Sequence, residues 1–155
     1  MPTTHLLARA VVRRDRRLLV VQAEGQSHTF LPGGHVEDDE GMEACLRREL
    51  REELGVEAEV GAYRGAVEHR WRRDGELQYE INHCFAVEGP SLSPDEVPPA
   101  REDYLTFRWV PVAGLDEAEL QPSPLRRLLA GSVAQEDPWW ASTLPADEAS
   151  DVAFR

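Results

Sequence analysis

Three glutamates, Glu49, Glu52 and Glu53, crowd into five positions of the segment GHVEDDEGMEACLRRELREELGV, residues 34–56. On a helix of 3.6 residues per turn, with Glu49 at the origin, Glu53 falls about 40° to one side and Glu52 about 60° to the other. The three carboxylates therefore share one stripe. Leu46, Leu50 and Leu54 repeat every four residues on the neighbouring stripe, which would pin the helix to a core. Like charges at these spacings repel by about 0.2–0.5 kcal/mol per pair on an isolated helix, and more where the stripe is partly desolvated. A divalent cation reverses that sign. Hard oxygen donors suit Mg²⁺, with Mn²⁺ as an alternative, and Mg²⁺ commonly joins carboxylates to substrate phosphates. A solvated acidic helix, with Arg47, Arg48 and Arg51 supplying intrahelical pairs, has the same charge pattern. The spacing alone leaves both readings open.

The elements around this segment must position it. Its own pattern predicts a helix from Glu40 or Gly41 to Leu54, with Gly55 at the left-handed end. Asp38 and Asp39 precede it, where an N-cap and the helix dipole favour acid. HLLARAVVRRDRRLLVVQA reads as two strands around a turn at Arg14-Asp15-Arg16, and TFLPGG as a short strand stopped by Pro32 and two glycines. Val56 to Trp71 is extended, and Asp74-Gly75 signals a hairpin. In the returning strand LQYEINHCFAV, Leu77, Tyr79, Ile81, His83, Phe85 and Val87 are expected to face the core. Gln78, Glu80, Asn82 and Cys84 then line a cleft.

GPSLSPDEVPPARED is a long Pro-rich loop, of the kind that often carries function. YLTFRWVPV reads as a strand, and LDEAEL and SPLRRLLAG as short helices. One long helix among antiparallel hairpins indicates an α+β domain or αβα sandwich over residues 1–131. An acidic tail, 132–155, follows; its Trp139-Trp140 pair is expected to pack on the domain or in a homodimer contact.

Composition narrows the function classes. The 155 residues suit one domain, and 41% hydrophobic with 30% charged residues fits a globular chain. No apolar run is long enough to cross a bilayer. The positive charges near the start follow the apolar stretch rather than precede it, so we expect a cytoplasmic protein without membrane attachment. Cys45 and Cys84 have no metal-ligand spacing and are expected reduced. A net charge of −12 argues against a nucleic-acid polymer as partner. A small phosphorylated substrate is compatible with it, provided cations sit between the negative partners.

The segment resembles the Nudix hydrolase signature. That pattern runs Gly, five residues, Glu, seven residues, Arg-Glu, a hydrophobic residue, any residue, Glu-Glu, any residue, Gly and a hydrophobic residue. Gly34, Glu40, Arg48-Glu49, Leu50, Glu52-Glu53, Gly55 and Val56 meet every fixed position. The preceding LPG and the later FRWVPV are also similar to the family. The resemblance implies a loop–helix–loop cradle on an αβα sandwich, cleaving diphosphate linkages. By that resemblance Glu49, Glu52, Glu53 and the Gly33 carbonyl are metal ligands, and Arg48 orients the glutamates. Glu40 fixes the loop. Glu52 or Glu53 serves as general base, with Glu102 or Asp103, on the loop before YLTFRWVP, as alternatives; Glu96 occupies a comparable place.

For the substrate itself, His35 inside the motif and Glu80 and Asn82 on the polar strand face are candidate contacts, since Asn and Glu can read a base edge. Phe30, Trp71 and Tyr79 are candidate stacking partners, though aromatics in strands are also ordinary packing partners. The leading expectation is an Mg²⁺-dependent pyrophosphohydrolase in which an activated water attacks a nucleoside triphosphate or nucleoside diphosphate derivative. The alternatives are a nucleotide-sensing module without hydrolysis and a hydrolase of ADP-ribose or nucleotide sugars.

Overall fold

The computed structural model describes residues 2–131 and 137–144. Two β-sheets face each other. The first has the order β10-β6-β7-β1-β5, built from β1 (Thr3–Val11), β5 (Gly33–His35), β6 (Glu59–Arg73), β7 (Glu76–Glu88) and β10 (Trp139–Ser142). It is mixed: β1 runs parallel to β7 and antiparallel to β5, while β6 and β7 form a long antiparallel hairpin. The second contains β2 (Arg13–Arg14), β3 (Arg17–Ala23), β4 (Thr29–Phe30), β8 (Leu105–Pro111) and β9 (Leu120–Gln121). This is the expected α+β sandwich.

Both expected hairpin turns form. Asp15 and Arg16 carry φ of 51° and 63°, and Asp74 and Gly75 carry 50° and 83°. Positive φ at both central residues gives the turn whose twist matches its strands. The helix α1 spans Met42–Leu54 and ends on left-handed Gly55. Its N-cap is Gly41, not an aspartate, and no side chain caps it. TFLPGG is split between β4 and β5, which lie in different sheets. LDEAEL is not a helix: a 3₁₀ turn at Val112–Gly114 leads through turns into β9, whereas SPLRRLLAG forms α2 (Pro124–Ala130) as expected.

The faces of β7 are the main difference. Gln78, Glu80, Asn82 and Cys84 are the buried side, while Leu77, Tyr79, Ile81, His83 and Phe85 are only half-buried. Helix α1 packs its Cys45, Leu46, Leu50 and Leu54 over Ala8 and Ala10 of β1 and Val12 just after it, and leaves most of β7's outer face uncovered. The opposite face lies under the second sheet and α2. There Val11, Val67 and Cys84 join Leu18, Val20, Leu120 and Leu125 in a second core. Of the tail, Trp139 packs on that core, Trp140 is exposed, and β10 runs parallel to Gly65–Glu68 of β6. Residues 132–136 and 145–155 of the expected tail lie outside the described residues.

Candidate active site: a carboxylate ridge beside a buried polar pocket

Arg48 stands at the centre of the ridge. Its guanidinium donates to Glu40 at 2.7 and 3.0 Å, to Glu49 Oε1 at 2.9 Å, to Glu52 Oε2 at 3.3 Å and to the His35 carbonyl at 3.2 Å. The Glu37 N–H also donates to Glu40 at 3.0 Å. Hydrogen bonds from Arg48 and then from Glu37 hold the Glu40 carboxyl down to about 2, and the Glu40 bond raises Arg48 above its ordinary range. The pair thus ties the 33–40 loop to α1. The loop approaches so closely that a Cβ on Gly34 would lie 2.7 Å from the Glu49 carboxyl carbon. Gly33 has φ of +134°, and a Cβ there would meet the Ala8 carbonyl oxygen at 2.0 Å, so only glycine fits against β1.

Glu53 stands beside Glu49 on the ridge. Desolvation, then the neighbouring Glu49 and the field of Glu102, push the Glu53 carboxyl well above the usual carboxylate range, against the opposing field of Arg9. Glu52 is 55% exposed and turned to Arg48. The Pro-rich loop returns to the same place. The Arg101 N–H donates to the Glu53 carbonyl at 2.7 Å, and its guanidinium lies over Gly55. Glu102 is thereby brought within electrostatic reach of Glu53. Tyr104 is pushed up by its partial burial and then by Glu102, Glu53 and Glu49. Asp103 beside it is exposed. Glu96 instead lines a separate hollow with Arg17 and Arg108.

A polar pocket opens between the sheets. Register places His5 opposite Glu80, Leu7 opposite Asn82, and Val67 and His69 opposite Asn82 and Glu80 on the other side. Buried Arg9 donates through Nε to Asn82 Oδ1 at 3.2 Å and through Nη1 to the Leu31 carbonyl at 3.1 Å. The Asn82 amide donates to Glu80 Oε2 at 3.0 Å and to the Val67 carbonyl at 3.4 Å. Trp71 Nε1 donates to Glu80 Oε1 at 2.9 Å. The Arg9 guanidinium sits 5.4 Å from the Phe30 ring centre. Arg9, Phe30, His69, Glu80, Asn82 and Gln121 surround a cavity of about 20 Å³. Nearer the ridge, His5 Nε2 donates to Gln78 Oε1 at 2.7 Å, and His5 Nδ1 shares a hydrogen bond with His35 Nε2 at 2.9 Å. Tyr79 lies on the other face, where its hydroxyl donates to Glu68.

The sequence matches the family profile described as NUDIX domain over residues 3–130. The chain belongs to the Nudix family. Among curated proteins it is 47% identical over 58 residues to CTP pyrophosphohydrolase of Escherichia coli K12, a match covering 35% of this chain and 43% of that one. It is 28% identical over 123 residues to Phosphatase NudJ of the same strain, covering 78% and 77% of the two chains. The chain thus spans less than half the length of the first of these relatives. The solution structure of the E. coli ORF135 protein superposes with a TM-score of 0.57 at 28% identity, over 83% of this chain and 89% of that one.

Nudix enzymes use divalent metal ions, and the donors in this Nudix domain fit one. The Glu49, Glu52 and Glu53 carboxylates and the Gly33 carbonyl are all oxygens, the donor class of Mg²⁺ and Mn²⁺. Desolvation and the neighbouring acids push the half-buried Glu53 carboxyl upward, and a bound cation would act in the opposite direction. Among the described residues, no three His, Cys, Asp or Glu side chains already surround a common point, because Glu52 is held by Arg48.

The fold therefore gathers Gly33, Arg48, Glu49, Glu52, Glu53 and Glu102 on one side, and Glu80 with Asn82 on the other. His35 is joined through His5 to Gln78 of β7. Sequence reasoning missed Arg9, whose signal was present: a lone cation inside the apolar run LLARAVV. Gln121 carried no such signal.

Proposed function

We infer that this Nudix domain is an Mg²⁺-dependent pyrophosphohydrolase that cleaves a diphosphate linkage in a nucleoside triphosphate or nucleoside diphosphate derivative, with Mn²⁺ as an alternative ion. The observation that carries this reading is the pairing of Glu49 with a desolvated Glu53, beside Glu52 and under Glu102. Carboxylates gathered along one ridge are tolerable when cations and phosphates lie against it. When bound, a divalent ion neutralises the diphosphate oxygens and makes water a better nucleophile.

The chain's own residues do the rest. Glu53 or Glu52 accepts the proton of the attacking water, which enters in line with the leaving phosphate. Glu102 is the alternative acceptor, presented by the loop anchored through Arg101, with exposed Asp103 next to it. Arg48 holds Glu49 and Glu52 in orientation and is not itself a substrate contact. The Gly33 carbonyl adds a metal ligand. His35, exposed at the rim, faces the phosphates or ribose, and Glu80 reads the base. Asn82 contributes by holding Glu80 and Arg9, since both its amide hydrogens are engaged. One relative bears a name specifying a nucleoside triphosphate, CTP, which favours a nucleotide here as well.

The test is a panel of nucleoside triphosphates, dinucleotides, nucleotide sugars and ADP-ribose with Mg²⁺, followed by phosphate and pyrophosphate release. We expect turnover of nucleotides, and its sharp loss in Glu52→Gln and Glu53→Gln. Unchanged rates in both variants reject the site. Tight binding of a nucleotide with no cleavage of any compound would make the domain a sensor.

A further inference from the structure

The pocket between the sheets contains a buried acceptor with nothing to accept. Gln121, in β9, is 9% exposed, and its Oε1 has no hydrogen-bond partner. An acceptor left so in a folded interior forfeits the hydrogen bond it made to water, which marks it as a place where a donor belongs. The same cavity is bordered by Glu80, a carboxylate whose oxygens accept from Trp71 and Asn82. One wall of the pocket is thus acceptor in character. The other wall is a donor: Arg9 engages Nε with Asn82 and Nη1 with Leu31, and a guanidinium carries five N–H groups.

A ligand edge complementary to these walls has an amino group next to an acceptor ring nitrogen. Cytosine presents that order, with its 4-amino group beside N3. Uracil presents the reverse, a carbonyl beside an N–H, and would set acceptor against acceptor and donor against donor. Adenine has the same two groups as cytosine on a larger frame. The cavity measures about 20 Å³, room for a single water, so its walls must part for any base. A one-ring base demands less of that than a two-ring base.

We propose that Gln121, together with Glu80, accepts from the exocyclic amino group of a cytosine base while Arg9 donates to the ring, so that the site selects cytidine nucleotides over uridine nucleotides. The proposal rests on the nucleotide reading above and names the base that reading left open. Gln121 is then a specificity determinant remote from the carboxylate ridge.

CMP and UMP decide the matter by calorimetry, because neither needs a metal ion or a chemical step to bind. CMP is expected to bind about tenfold tighter than UMP or more, the factor that one unmatched buried acceptor produces. CTP should exceed UTP in kcat/KM by a similar factor. In Gln121→Leu the CMP-to-UMP ratio should fall to about two or less. Gln121→Glu keeps an acceptor oxygen at the same reach and should retain the preference, even if Gln121→Leu proves too unstable to assay. Equal affinity for CMP and UMP in the wild type, or no measurable binding of either, overturns the proposal. AMP bound as tightly as CMP overturns the choice of a one-ring base. A preference for CMP that survives Gln121→Leu removes Gln121 from the reader. Retained CMP preference without hydrolysis of any nucleotide sinks the hydrolase reading instead and leaves the base assignment standing.

Discussion

Arg48 and Arg9 are the central cations of the two halves of the site, and they live in different environments. Arg48 has a side chain 23% exposed and is surrounded by carboxylates within one helix and its preceding loop. Arg9 is 4% exposed and bound to a neutral amide and a carbonyl contributed by distant segments. The ridge is a half-exposed set of carboxylates around one guanidinium. The pocket is a buried hydrogen-bond network with one acceptor, Gln121 Oε1, left over. The first half is suited to ions and phosphates, the second to shape and hydrogen-bond order.

The largest effect should come from the ridge chemistry. Glu53→Gln is expected to lower kcat by about 10²- to 10⁴-fold, the range for loss of a general base, in steady-state assays with Mg²⁺. Because the metal-free Glu53 is a desolvated acid beside another acid, the same variant should be no less stable than the wild type without metal. A clear loss of stability there would break the contrast, making Glu53 a packing residue.

The two arginines then sharpen it through stability. Arg9→Met should destabilise by about 1–3 kcal/mol for each acceptor left unmatched, Asn82 Oδ1 and the Leu31 carbonyl. Arg48→Met should lose only about 0–1 kcal/mol, the scale of partly exposed ion pairs. Urea unfolding of both variants in the absence of metal measures the difference. Equal losses would mean the ridge is as structural as the pocket.

Metal addition separates the halves directly. At a hundredfold excess over its Kd, Mg²⁺ should stabilise the wild type by about 2.7 kcal/mol, seen as a rise in Tm. Glu49→Gln should abolish that rise. Asn82→Ala, in the pocket, should keep it even though its own Tm is lower.

The smallest effect is an acid one. Glu40 is held down to about 2 by Arg48 and the Glu37 N–H, below its usual carboxylate value near 4.5. Between those values the native state carries fewer protons at this position than the unfolded chain. The stability it contributes is therefore full above about pH 4.5 and is lost as pH falls toward 2. Thermal melts across this window should show a shallower acid limb in Glu40→Gln than in the wild type.

The ridge was legible because its information is local. Glu49, Glu52 and Glu53 lie on one helix whose period follows from Leu46, Leu50 and Leu54, and the span from Gly34 to Val56 is only 23 residues. Helix geometry alone puts those carboxylates on one stripe. The two hairpin turns were equally legible, because positive φ at paired positions is a property of the turn residues themselves.

Alternation in β7 likewise separated Glu80 and Asn82 from Ile81 and His83, but it could not say which side would be buried. That was decided by α1 settling over Ala8, Ala10 and Val12 while the second sheet closed over the polar side. Arg9, Asn82 and Gln121 meet only because β1 pairs in parallel with β7 and β9 reaches them from the opposite sheet. A helical stripe is set by bond geometry within one segment. A pocket between sheets is set by register and packing among several segments, which no single segment encodes.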